Sequence, residues 1–120
     1  MEKNIKTHKD LDVWKESMKL AKDVYLLTSS FPKEELFVLT LQIRRSSISI
    51  PSNIAEGAAR NSNKDFVKFL YVALGSLAEL ETQLLLAKEL GFINENSLES
   101  SINSIRKMLI GLIKYLSKNQ

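Results

Sequence analysis

The sequence predicts an all-α fold, an antiparallel up-down-up-down four-helix bundle, and three observations predict it. Apolar residues recur three and four positions apart along nearly the whole chain. No stretch alternates with the period of two that a half-buried strand requires. Pro and Gly are scarce, and they fall where helices turn or end. The 120 residues are 44% apolar and 26% charged, a balance that expects a single soluble domain with a sizeable core.

The first helix is expected from about Leu11 to Thr28, with Asp10 as its N-cap. Leu11, Trp14, Met18, Ala21 and Tyr25 make one helical stripe, and Val13, Ser17, Leu20, Val24 and Leu27 make a second beside it. Residues 1–9 are polar, lack the apolar run of a signal peptide and read as a mobile tail. A turn containing Phe31 and Pro32 leads to a second helix from near Glu34, carrying Leu36, Leu39, Ile43, Ile50 and Ile54. Pro51 lies inside it. Proline lacks the backbone donor and crowds the carbonyl four residues back, that of Ser47, which predicts a kink. It does not predict a stop, because the helical period continues to Ala58. Ser46, Ser47 and Ser49 are placed to rebond freed backbone groups.

The third helix has the clearest signals. Ser62, followed three residues later by Asp65, resembles a capping box. Phe66, Leu70, Ala73, Leu77, Leu80, Leu84 and Ala87 keep the rhythm of four and three, and Gly91 ends it as a left-handed C-cap. The fourth helix is expected from near Asn94, on Leu98, Ile102, Ile105, Leu109, Leu112 and Leu116. No apolar stretch reads as long enough to cross a membrane. The absence of cysteine excludes disulfides, thiolate zinc sites and a cysteine nucleophile, and fits a cytoplasmic location.

A monomeric bundle needs about three apolar positions in seven per helix. This chain has more, at Leu20, Val24 and Leu27 on the first helix, Val67, Tyr71, Leu74 and Ala78 on the third, and Ile110 and Ile113 on the fourth. The surplus expects these residues at a homo-oligomer interface. The alternative is one irregular bundle that buries a wider face.

Nothing points to a reaction. The only histidine, His8, falls in the tail, and no Glu-x-x-His or paired-histidine pattern would hold a metal. Gly57, Gly75, Gly91 and Gly111 are isolated, so no glycine loop cradles phosphate. No enzyme activity, metal or cofactor is expected.

Two polar features remain. Ser46, Ser49, Asn53, Glu56 and Arg60 recur along one side of the second helix, facing the Gly75, Ser76 and Glu79 patch expected on the third. Glu79 is placed to meet Arg44, Arg45 or Arg60, in a network that fixes which helix faces which. The same stripe, centred on Asn53, Glu56 and Arg60, also fits a ligand or RNA site. The other feature is basic. The net charge is +3, which permits nucleic-acid binding without demanding it. Lys15 and Lys19 line the first helix but interleave with Asp12, Glu16 and Asp23. Arg106, Lys107, Lys114 and Lys118 lie on the fourth helix with no acid after Glu99. They are candidate phosphate contacts, and the helix dipole also favours cations at that end.

The opening Asp10-Leu11-Asp12-Val13-Trp14-Lys15, the central run from Arg44 to Gly57 with Arg60, and the run Phe66 to Leu84 resemble a known family. The chain is similar, from about Asp10 to Ser117, to the bacterial four-helix-bundle proteins encoded in intervening sequences of 23S ribosomal RNA genes. No general helix rule demands Asn53-Ile54-Ala55-Glu56-Gly57 after a mid-helix proline, so the motif is specific. The resemblance implies a bundle assembled into a ring, a pentamer, with ribosomal RNA or another nucleic acid as partner. A more distant similarity is to the accessory variability determinants of diversity-generating retroelements, which are basic pentameric bundles. The opposing expectation is a protein-interaction scaffold with no nucleic-acid role.

Overall fold

The computed structural model describes residues 7–95 and 97–119. Four helices carry the fold: α1 (Asp12–Thr28), α2 (Leu41–Ala58), α3 (Asn63–Glu89) and α4 (Glu99–Lys118). No strand occurs among the described residues. Each helix packs on its chain neighbours, and α1 also packs on α4, which closes the cycle. The helices lie along a long axis of 46 Å, with cross-section extents of 22 and 20 Å. At about 1.5 Å per residue, α3 alone accounts for most of that length.

Local chemistry sets the ends. Ser62 Oγ accepts from the Asp65 N–H at 3.1 Å, satisfying one of the orphan donors at the start of α3. At its other end Gly91 takes φ +81°. The Gly91 N–H donates to the Lys88 carbonyl at 3.0 Å and the Phe92 N–H to the Ala87 carbonyl at 2.9 Å, a Schellman motif. Two expected starts differ. Asp10 does not cap α1, whose N-cap is Leu11 without a side-chain bond. Its carboxylate instead accepts from the Thr7 N–H at 3.1 Å, closing a 3₁₀ turn over His8–Asp10. That turn occupies the end of the expected tail, and the His8 ring meets Trp14 edge-on with centroids 5.1 Å apart. The rest of the tail, residues 1–6, lies outside the described residues. Helix α4 begins at Glu99, five residues beyond Asn94, and Ile93 and Leu98 before it are both buried.

The second helical run is irregular at its start. A 3₁₀ turn over Lys33–Glu35 passes into a π-helical turn over Leu36–Thr40 and then into α2. The run continues through Pro51 to Ala58. Pro51 therefore does not terminate it. Ser47 donates to the Arg44 carbonyl at 2.8 Å, and Asn53 Nδ2 to the Ser49 carbonyl at 2.8 Å, beside the site of the missing donor.

The core is built from Ile43, Ile50 and Ile54 of α2, Leu70, Leu77, Leu80 and Leu84 of α3, and Ile102, Ile105 and Leu109 of α4. On α1 the inward stripe is Val13, Ser17, Leu20 and Val24, the one expected to be surplus. The Trp14, Met18 and Tyr25 stripe is partly or largely exposed. On α4 Ile113 is buried where Leu112 was expected, and Leu112 packs against the core from its edge. Helix α3 is long and apolar enough to cross a membrane by length and composition, contrary to expectation. Its best 18-residue window has a mean hydropathy of 1.3, and 33% of that window is buried. The inward stripe explains part of this apolarity, and the rest faces outward.

Candidate functional site

The seam between α2 and α3 is polar along one edge. Ser46 Oγ donates to Gln83 Oε1 at 3.0 Å, and the Ser49 and Ser76 hydroxyls share a bond of 2.7 Å. Asn53 Nδ2 also donates to the Ser49 hydroxyl at 2.9 Å. Further along, Gly57 abuts Phe66 and Phe69 so closely that an added Cβ would lie 2.8 Å from Phe69 Cβ. Ser46 thus meets Gln83, Ser49 meets Ser76, and Gly57 meets Phe66: the two helices run in opposite directions. Ser46 and Ser76 are buried, where unpaired hydroxyls would be costly, so these pairs select one alignment of α2 on α3.

The arginines do not join that network. Arg44 turns to α1, donating from Nε to Thr28 Oγ1 at 2.9 Å, with its guanidinium 4.5 Å from the Tyr25 ring centroid. Arg60 stays on its own helix, bonded to Glu56 at 3.1 Å, and stacks 4.7 Å from the Phe69 ring centroid. Arg45 and Glu79 are exposed, and neither forms an ion pair among the described residues. Glu79 misses the seam because three residues rotate a helix by about 60° past Ser76, which is enough to turn the carboxylate outward. The expected Glu79–Arg contact is therefore absent. Asn53, Ser49 and Ser76 satisfy one another, which leaves a structural seam rather than a convergent set of free polar groups.

The basic candidates separate into two kinds. Arg106 forms an ion pair with Glu81 of α3, both side chains being 31% exposed. It also donates to Asn103 Oδ1 at 2.7 Å. Arg106 thus ties α4 to α3 and is not a free phosphate contact. Asn63 Nδ2 donates to the Asn119 carbonyl at 2.9 Å, which joins the start of α3 to the end of α4. Lys107, Lys114 and Lys118 on α4, and Lys15 and Lys19 on α1, are exposed and have no ion pair among the described residues. The structure brings them onto the outer faces of two helices that pack together.

The interface candidates divide as well. Leu20, Val24, Val67 and Ile113 are buried within a single copy and cannot meet a second one. Leu27 and Leu74 pack against the core while partly exposed. Tyr71, Ala78 and Ile110 remain at the surface. The sequence did not single out the most exposed of the large apolar side chains, Phe37 at 81%, or its neighbour Val38, and Leu36, expected on the apolar stripe of the second helix, is also exposed. The signal was available, since three consecutive apolar residues on a helix cannot all face one core.

The comparisons extend this picture. The description "23S rRNA-intervening sequence protein" matches residues 9–111. The chain belongs to that family. The match spans all of α1, α2 and α3 and most of α4, including the α2–α3 seam. No curated protein matches the chain.

Proposed function

We propose that this family member is a non-enzymatic, homo-oligomeric bundle that associates with RNA through the outer lysines of α4 and α1. The observation that carries the reading is the set of exposed lysines without ion pairs, Lys107, Lys114, Lys118, Lys15 and Lys19, in a family tied to a ribosomal RNA intervening sequence. Ammonium groups on flexible stems contact phosphates with little sequence information. One copy offers few such contacts, and repeating them in an oligomer raises the effective concentration of each.

The test is binding of a fluorescent 23S rRNA intervening-sequence stem, followed by anisotropy from low to moderate salt. The triple variant Lys107→Ala, Lys114→Ala, Lys118→Ala should flatten the dependence of log K on log salt by about 2 to 3 units, near 0.7–0.9 per lost contact. No binding at low salt, or equal slopes for both proteins, overturns the assignment. A scaffold without nucleic-acid partners is the second reading. It is favoured by the exposed Leu36, Phe37 and Val38, and it predicts that first negative result.

A further inference from the structure

The outer faces of α2 and α3 carry charge at the same spacing. Arg45 and Glu56 lie 11 residues apart on α2, and Lys68 and Glu79 lie 11 residues apart on α3. That interval is close to three helical turns, so each pair shares one side of its helix, about 16 Å apart. All four residues are exposed, and Arg45 and Glu79 form no ion pair among the described residues. Lys68 stands 3.8 Å from Asp65, and Glu56 meets Arg60 at 3.1 Å with more than half of its own side chain in water.

The seam sets the heights of these charges. Ser49 bonds Ser76 across it. Arg45 is four residues before Ser49, and Glu79 is three after Ser76. Glu56 is seven residues after Ser49, and Lys68 is eight before Ser76. The helices are antiparallel, so Arg45 is level with Glu79 and Glu56 with Lys68, each within about 1.5 Å along the bundle. Neither pair joins within one copy. Between the charges lie Ile48 and Ser52 on α2, and Val72 and Gly75 on α3, all exposed. A Cβ added to Gly75 meets nothing within 4 Å, so packing inside one copy does not call for glycine there. Glycine weakens a helix interior, and what it permits is the close approach of another backbone.

We propose that the outer face of α2 in one copy packs on the outer face of α3 in the next, head to tail around an axis parallel to the helices. Rotation about such an axis leaves heights unchanged. Arg45 then meets Glu79 of the next copy, Glu56 meets its Lys68, and Ser52 lies against its Val72. A neighbour turned end for end would set Arg45 on Lys68 and Glu56 on Glu79, like charge on like. The contact joins two different patches, so repeating it generates a ring and not a closed pair. Helices α2 and α3 are neighbours in the helix cycle, and their outward faces diverge by about a right angle, which curves successive copies back on themselves. Helices α1 and α4 are left outside, with their lysines uncovered. The proposal rests on the homo-oligomer reading above and names the two faces which that reading leaves open.

The chain contains no cysteine, so an introduced thiol reports on one place. Ser52→Cys and Val72→Cys proteins, refolded together and mildly oxidised, should give a cross-linked pair of chains, because the contact brings the two Cα atoms within disulfide reach. Either variant alone should give none. Glu79→Arg should leave the far-UV circular dichroism unchanged and weaken association at least tenfold by light scattering, and the double variant Arg45→Glu, Glu79→Arg should restore it. A wild-type oligomer in which the mixture fails to cross-link and Glu79→Arg keeps its mass overturns the contact and leaves the oligomer reading standing. Cross-linking by either variant alone also overturns it, since that requires a residue to face its own counterpart. A wild-type chain that is monomeric at high micromolar concentration overturns both.

Discussion

Substituting Gly57 by alanine should destabilise the protein, although the same change elsewhere in these helices should stabilise it. The Cβ would lie 2.8 Å from Phe69 Cβ and 2.9 Å from Phe66 Cδ1, with the Phe66 carbonyl oxygen at 3.2 Å. The shortest of these is about 0.6 Å inside the 3.4 Å at which ordinary contact begins. One obstacle is a backbone atom and another is a Cβ, so a rotamer change cannot relieve them. The first turns of α3 must move away from α2, at a cost of about 1–3 kcal/mol. Against this stands the gain in helix propensity of about 1 kcal/mol on replacing glycine. Gly111 is the control: a Cβ there meets nothing within 4 Å, so Gly111→Ala should show the gain alone. The two variants should therefore differ by the overpacking cost, roughly 3–10 °C in Tm for a chain of this size. Thermal unfolding by circular dichroism at one fixed protein concentration makes the comparison. Equal shifts of the same sign would refute the close α2–α3 approach at Gly57.

Three further outcomes follow from single groups. Thr40 Oγ1 is buried without a hydrogen-bond partner, so Thr40→Val should raise stability by about 1 kcal/mol in urea unfolding, where an ordinary buried threonine would lose stability. Ser62→Ala should lower stability by about 1 kcal/mol, and Ser62→Asp should retain most of it, since aspartate caps α3 equally well. A double-mutant cycle on Glu81 and Arg106 should give a coupling of about 0.5–1 kcal/mol that shrinks as salt is added, because both groups are partly in water.

The parts of the fold that sequence reading captured are those decided within a few residues. Ser62 and Asp65 start α3, Gly91 ends it, and the spacing from Leu70 to Ala87 selects its inward face. Where two answers had equal local merit, tertiary packing decided. Helix α1 has two apolar stripes; the core takes Val13, Ser17, Leu20 and Val24, and Arg44 stacks on the outer one at Tyr25. Ile113 displaced Leu112 because a step of three and a step of four from Leu109 have equal helical standing. Helix α4 begins at Glu99 and not near Asn94, with the residue before it, Leu98, buried. The candidate site was less legible. The lysines could be named from composition, but the pairing of Arg106 with Glu81 and the outward turn of Glu79 depend on helix rotation, which periodicity leaves free by tens of degrees.

The π-helical turn over Leu36–Thr40 bears on how the length of this chain can change. A π turn spends one residue more than an α turn to make the same advance. Deleting one residue inside Leu36–Thr40 can therefore be absorbed by tightening the turn, with every residue from Leu41 to Ala58 kept on its present face. The same deletion in the middle of α3 has no such slack and rotates all that follows by about 100°. It would turn Leu80 and Leu84 out of the core. Of the long helical runs, the one beginning at Lys33 is thus the one that can lose a residue without scrambling what it faces.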